Sequence, residues 1–225
     1  MFWIRSRTSG KFALTLLLPA ALVLSSASLQ SATLRPPPVR RFELDSARTS
    51  VGFRAQATLG EFRGYARRIT GWVEMQEPNY VDAHGEIVLQ AASFQTGIGL
   101  RDRHLRETLE TSNHPTIRFV LDSARFEQTD STGENWYRLY GQLTIRNVTR
   151  RPELRARVVA RADTLQVQGS LATRFTDFEM KPPTRMLGTT KVRNEFTIMF
   201  ECTFVAAAPI GFAPLPQSTA RPARE

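Results

Sequence analysis

The sequence predicts an all-β fold, an eight-stranded antiparallel barrel with a short helical cap over one end. Three observations predict this fold. Apolar residues recur at every second position through the body of the chain, which is typical of strands with one buried face. Short polar segments separate most of these stretches, which favours an antiparallel meander. Residues 97–111 break the alternation and space Ile98, Leu105 and Leu109 as on a short helix.

Residues 1–27 have the order of a secretory signal peptide. Arg5, Arg7 and Lys11 precede an apolar run at 12–24, and small residues follow. A membrane-spanning helix needs about 20 apolar residues, and this run is shorter and contains a proline. We therefore predict cleavage after residue 27 and a periplasmic or secreted protein.

The predicted folded body lies between two irregular segments. Residues 28–41 contain three consecutive prolines and are predicted to be a linker, because proline favours an extended conformation and is excluded from sheet interiors. Residues 206–225 are rich in Pro and Ala and are predicted to be a loose tail. The barrel is therefore expected at residues 42–205.

The composition, 41% hydrophobic and 23% charged, is that of a globular protein. Lys and Arg total 30 against 21 acidic residues, and three of these basic residues belong to the predicted signal peptide. Export would also separate the protein from nucleic acid, so no nucleic-acid partner is expected. The single cysteine, Cys202, excludes an intramolecular disulfide.

The strands are predicted in chain order from the alternation. The eight alternating segments are residues 51–59, 69–76, 83–90, 117–121, 137–146, 154–161, 165–171 and 196–203. A second long connection, residues 177–191, contains two adjacent prolines and a glycine and is predicted to be a flexible loop.

The inward face of the predicted barrel mixes small and large apolar residues. A barrel of eight strands either is filled by side chains or holds one small ligand. Small inward residues such as Gly85 and Gly141 favour a cavity, although phenylalanines that fill the space beside them are the alternative. The candidate ligand-contacting residues share this inward, apolar character: Val51, Phe53, Ala55, Val73, Ile87, Leu89, Phe119, Leu121, Leu143, Leu171, Phe196 and Phe200.

No pattern of catalytic or metal-binding residues emerges from the sequence. His84, His104 and His114 have no spacing typical of a metal site, and no nucleophile, base and acid occur as a recognisable set. Cys202 falls on the apolar face of its strand, where a thiol is usually inert. We predict no catalytic residue, metal or cofactor other than a bound lipid.

Several motifs in register resemble one family. They are residues 42–53, 92–97, 101–105, 114–119 and 141–149, together with Gly64 and Gly71. The chain thereby resembles the YceI family of secreted bacterial lipid-binding proteins. The resemblance implies a lipocalin-like barrel that encloses a polyisoprenoid chain, such as the tail of an isoprenoid quinone, with no shared catalytic reaction.

The chain departs from the usual family pattern at two places. Asn147 stands where the family commonly has glycine, and residues 107–113 lack the aromatic side chains that usually follow Leu105. Arg101 and Asp102 match a pair that is recurrent in the family.

The residues predicted at the tunnel mouth or cap are Arg101, Asp102, His104 and Leu105. An acidic residue near a helix N-terminus is stabilising, so Asp102 has a structural interpretation as a cap, with Arg101 anchoring the helix to the barrel. The alternative is that this pair contacts a lipid headgroup.

The leading function is an exported carrier of an amphiphilic isoprenoid lipid. Two alternatives remain from the sequence, an outer-membrane barrel with its apolar face outward and a lipid-modifying enzyme at the barrel mouth. Arginines predicted on outer faces (Arg54, Arg155, Arg157 and Arg161) favour peripheral contact with an anionic membrane surface. Nothing in the sequence defines an oligomeric state.

Overall fold

A computed structural model describes residues 39–76, 82–185 and 190–207. The predicted signal peptide, most of the linker and the tail beyond residue 207 lie outside these ranges. The elements are β1 (Val39–Leu44), β2 (Ser50–Ala57), β3 (Gly60–Ala66), β4 (Ile69–Gln76), β5 (His84–Gln90), β6 (Phe94–Gln95), α1 (Gly99–Leu109), β7 (Thr116–Thr129), β8 (Asn135–Ile145), β9 (Val148–Arg150), β10 (Glu153–Arg161), β11 (Thr164–Arg174), β12 (Thr184–Arg185) and β13 (Thr190–Ala206).

Eight antiparallel strands close into a barrel, which confirms the predicted fold class. Their order is β1, β4, β5, β7, β8, β10, β11 and β13, and β13 returns to pair with β1. Closure leaves these strands with no free edge. No helix in the described ranges is long and apolar enough to cross a membrane.

β13 is the longest strand and serves two parts of the fold. Its C-terminal part pairs with β1, from Leu44 opposite Phe204 to Phe42 opposite Ala206. Its preceding part pairs with β2, from Glu201 opposite Ser50 to Val192 opposite Ala57. β2 continues into β3, whose end pairs with the short β6. The strands β2, β3 and β6 therefore extend the sheet beyond the barrel at one end.

Five strands lie outside the segments predicted from the alternation, namely β1, β3 and the short strands β6, β9 and β12. β3 gives no clear alternation of large apolar and polar residues, because its buried positions Gly64 and Ala66 hold small residues, while Glu61 and Arg63 are exposed. β1 begins at Val39, which pairs with Gln76, so residues 39–41 belong to the barrel and not to the predicted linker. At the other end the barrel includes Ala206, the first residue of the predicted tail.

The helical cap lies within the segment predicted for it. α1 ends at Leu109, and its C-cap residue Glu110 adopts a left-handed conformation at φ 50° and donates its N–H to the carbonyls of Arg106 and Glu107. The long connection after β11 is more ordered than predicted in its first part. A 3-10 turn at Phe175–Phe178 buries Phe178, Met180 is also buried, and β12 pairs with β13. Residues 186–189 lie outside the described ranges.

Candidate binding cavity

An apolar cavity of about 140 Å³ lies inside the barrel. Its wall is formed by side chains from β2, β4, β5, β7, β8, β10, β11 and β13, because the alternation of each strand directs one apolar face inward. Such a space, with almost no polar lining, suits a stretch of hydrocarbon.

Nine of the twelve residues predicted to contact a ligand line this cavity. They are Val51, Val73, Ile87, Leu89, Phe119, Leu121, Leu143, Leu171 and Phe200. Phe53, Ala55 and Phe196 are buried but lie outside the cavity lining. The alternation identified their face correctly, but these three residues lie in the part of the fold that closes one end.

An aromatic plug, defined by Phe53, Phe62, Phe94, Phe175 and Phe196, fills that end. The ring of Phe53 lies 5.9 Å from those of both Phe62 and Phe94, and the rings of Phe175 and Phe196 lie 4.7 Å apart. These distances are typical of aromatic packing. None of these five rings lines the cavity.

The inward-facing glycines mainly allow neighbouring side chains to pack closely, and they contribute less to the open volume of the cavity. A Cβ on Gly141 would meet the ring of Phe119 at 2.8 Å, and one on Gly169 would meet the ring of Phe200 at 2.6 Å. The two aromatic rings fill the space beside these glycines, which is the alternative to an open cavity that the sequence allowed. Of the small inward residues, Ala83, Gly85 and Ala124 do line the cavity.

The wall also contains residues that the sequence analysis did not select. They share the inward register of the selected ones and include Met75, Tyr137, Leu139, Val167, Ile198 and Phe204. Cys202 is part of the same wall and is 1% exposed. Burial raises the pKa of its thiol to about 12, so the thiol is neutral at ordinary pH.

The residues predicted at the tunnel mouth or cap form structural contacts. Asp102 accepts hydrogen bonds from the N–H and hydroxyl of Thr96 at 2.7 and 2.6 Å, and the Thr96 hydroxyl is the main cause that lowers the pKa of this carboxyl. The Arg101 guanidinium lies 4.7 Å from the centre of the Phe62 ring. Leu105 packs against the core and His104 is half-buried. None of these four residues lines the cavity.

Arg146 connects three turns at the capped end of the barrel. It lies in the turn between β8 and β9, next to Asn147, and adopts φ 58°. Its guanidinium donates to the Glu110 carboxylate at the end of α1 and to the Glu179 carbonyl, the latter at 3.2 Å. Glu110 and Glu179 also have positive φ, so the three left-handed non-glycine residues of the described ranges meet here. This cluster attaches the helix and the 3-10 turn to the barrel.

The histidines lie apart from the cavity wall. His84 Nε2 is 3.3 Å from Glu74 Oε2, and His114 Nε2 is 3.8 Å from Glu110 Oε2. Among the described residues, no three His, Cys, Asp or Glu side chains are grouped in a way that suits a metal ion. None of the three histidines lines the apolar cavity.

The outer face of the barrel is charged and largely neutralised by ion pairs. Arg155 Nε lies 2.8 Å from Glu127 Oε2, Arg157 pairs with Glu134, and Arg138 bonds Glu127 as well. Apolar side chains therefore face inward and charged side chains outward. This is the reverse of the arrangement in an outer-membrane barrel, where the apolar band faces lipid.

A closed antiparallel barrel of eight strands with an apolar interior has the architecture of the lipocalin-like barrels. Within that class, residues 42–204 match the model of the YceI-like domain, and the chain belongs to this family. Among curated proteins, none matches the chain significantly in sequence.

Solved structures share the fold at low sequence identity. BcnA of Burkholderia cenocepacia is 18% identical with a TM-score of 0.61, covering 71% of this chain and 98% of its own. A polyisoprenoid-binding domain from Saccharophagus degradans, implicated in plant cell wall breakdown, is 13% identical with a TM-score of 0.57, covering 74% and 98%. The YceI protein of Campylobacter jejuni is 16% identical with a TM-score of 0.53, covering 64% and 85%.

Proposed function

We propose that this protein is an exported carrier that shields the hydrocarbon chain of an isoprenoid-type lipid, such as a quinone tail, inside the barrel. The observation that carries the proposal is the apolar cavity of about 140 Å³. The family match supports it, and so does the fold shared with a domain described as polyisoprenoid-binding. The basic, apolar and small-residue order of residues 1–27 supports export.

Apolar contact supplies enough free energy for useful affinity. Burial of about 500 Å² of hydrocarbon at roughly 25 cal/mol per Å² contributes up to about 12 kcal/mol, before the cost of immobilising the chain. A lining that is almost entirely apolar offers little to recognise a headgroup. The cavity should therefore select ligands by chain length and branching more than by headgroup.

The wall of the cavity includes residues that are only partly buried, among them Ile87, Leu121, Leu171 and Ile198. We propose that these side chains contact the lipid and that no catalytic step follows binding.

Native mass spectrometry of the protein purified from a secretory host tests the proposal. We expect an apolar adduct in the isoprenoid mass range on a chain that begins at residue 28. Leu171→Trp places an indole in the cavity opposite Ile198 and should abolish the adduct. Ser170→Trp, on the exposed face of the same strand, should retain it. A clean protein mass, with no uptake of added isoprenoid quinones of graded chain length, would sink the proposal.

A further inference from the structure

Positive charge is concentrated at the capped end of the barrel. We define the capped end as residues 54–68, 98–114, 146–151, 174–181 and 191–195. These ranges contain 14 Arg and Lys residues and 7 acidic residues, a net charge of +7. The other described residues contain 10 basic and 12 acidic residues, a net charge of −2. Net charge is therefore distributed unevenly over the folded body, and the excess of positive charge lies at the capped end.

The capped end also exposes apolar side chains at two adjacent tips. Leu59, in the turn between β2 and β3, is 84% exposed, and Ile98 and Leu100, at the start of α1, are 50% and 61% exposed. Arg101 stacks on Phe62 of β3 and so joins the helix to the hairpin. Three of the five exposed large hydrophobic residues in the described ranges therefore lie on the β2–β3 turn and the adjacent start of α1.

Several cations around these tips are available to an external partner. Arg103, Lys191 and Arg193 are exposed, and none of them forms an ion pair with another described residue. Lys191 is adjacent to the hairpin turn, because the Thr58 N–H donates to its carbonyl at 3.0 Å. By contrast, the arginines of the outer barrel wall, such as Arg155, are neutralised by carboxylates.

We propose that the capped end docks the protein on an anionic lipid bilayer. Leu59, Ile98 and Leu100 enter the interface between headgroups and acyl chains, while Arg103, Lys191 and Arg193 lie against the lipid phosphates. Apolar side chains flanked by cations bind such interfaces through hydrocarbon burial together with attraction to the negative surface. Polyanions such as nucleic acid would satisfy the cations but would leave the three apolar tips in water. The inference does not depend on what the cavity binds.

Quenching of tryptophan fluorescence by lipids with brominated acyl chains tests both the contact and its orientation. Leu59→Trp and Leu100→Trp are made in the full chain, with Phe126→Trp as the matched control, because Phe126 is 53% exposed at the opposite end. We expect quenching beyond that of the parent protein at positions 59 and 100 but not at 126. Phosphatidylcholine vesicles containing phosphatidylglycerol should give this signal, and phosphatidylcholine alone should not.

Charge reversal tests the role of the cations in the same assay. In the Leu59→Trp background, replacing Arg103, Lys191 and Arg193 by Glu should weaken the quenching isotherm at least about tenfold. Arg161→Glu, an exposed change at the opposite end, should leave it unchanged. Equal quenching at position 126, quenching without anionic lipid, or binding to heparin without bromolipid quenching would each overturn the proposal. These outcomes are independent of any adduct in the cavity.

Discussion

Alkylation of Cys202 measures directly whether the interior of the barrel is dry. The thiol is 1% exposed in the cavity wall, and burial raises its pKa from 9.0 to about 12. Only the thiolate is a good nucleophile, so the raised pKa lowers the reactive fraction at pH 8 by roughly two to three orders of magnitude. Steric exclusion of the reagent adds to this effect. We expect the folded protein to react with iodoacetamide at least about a hundredfold more slowly than the protein unfolded in guanidinium chloride.

The rate is measured by mass spectrometry of samples taken over time, since the chain has a single cysteine. A Ser170→Cys, Cys202→Ala double variant carries its thiol on the outer face and provides the control, which should react as fast as an ordinary exposed thiol. If Cys202 reacted within about tenfold of the unfolded rate, the cavity would be open to water, and the reasoning that makes it a hydrocarbon site would be refuted.

Three further predictions concern the parts that support the cavity. Arg146→Met removes contacts to two other turns and should cost about 2 kcal/mol, which lowers Tm by roughly 4–8 °C in calorimetry. Gly141→Val brings a Cβ to 2.3 Å from the Val120 carbonyl oxygen and should cost about 1–3 kcal/mol in denaturant unfolding. Hydrogen bonds from Thr132 and Trp136 hold the pKa of Asp130 well below its usual range, so its stabilisation is present above about pH 4 and is lost as pH falls further. Trp136 fluorescence should therefore change only in acid, and Asp130→Asn should alter it at neutral pH.

Each of these three predictions has a control variant or an outcome that would contradict it. Arg150→Met changes an exposed arginine on the next strand, and an equal loss of Tm would remove the special role of Arg146. Gly99→Ala has open space around its Cβ and should be nearly neutral, whereas tolerance of Gly141→Val would contradict the close packing of β7 and β8. An acid-insensitive Trp136 signal in the native protein would contradict the account of Asp130.

The period-two alternation was sufficient to predict the fold class and most of the cavity wall. It identifies which face of a strand a residue occupies, and it therefore placed Val73, Ile87 and Phe119 correctly. It does not report depth along the barrel axis. Phe53 and Phe196 have the same inward register as the lining residues but belong to the aromatic plug.

Other features depended on contacts between distant parts of the chain. The Arg146 cluster joins residues that are 36 and 33 positions apart, and nothing local to residue 146 marks it as a connection. β3 was missed because its pattern of small buried residues resembles a turn as much as a strand. The ion pairs on the outer wall likewise needed strand register, which sets Arg155 beside Glu127.

The double pairing of β13 has a consequence for how the chain reaches its native state. The same strand closes the barrel against β1 and supports the β2–β3 hairpin, and it is the last strand in the described sequence. A nascent chain that lacks residues 190–206 can neither close the barrel nor support the β2–β3 hairpin, so its apolar strands remain without a common interior until these residues have been synthesised. Contacts between residues about 150 positions apart also slow folding, because a long loop must close first. Late folding of this kind would agree with the export proposed above, in which the chain crosses a membrane before it forms its cavity.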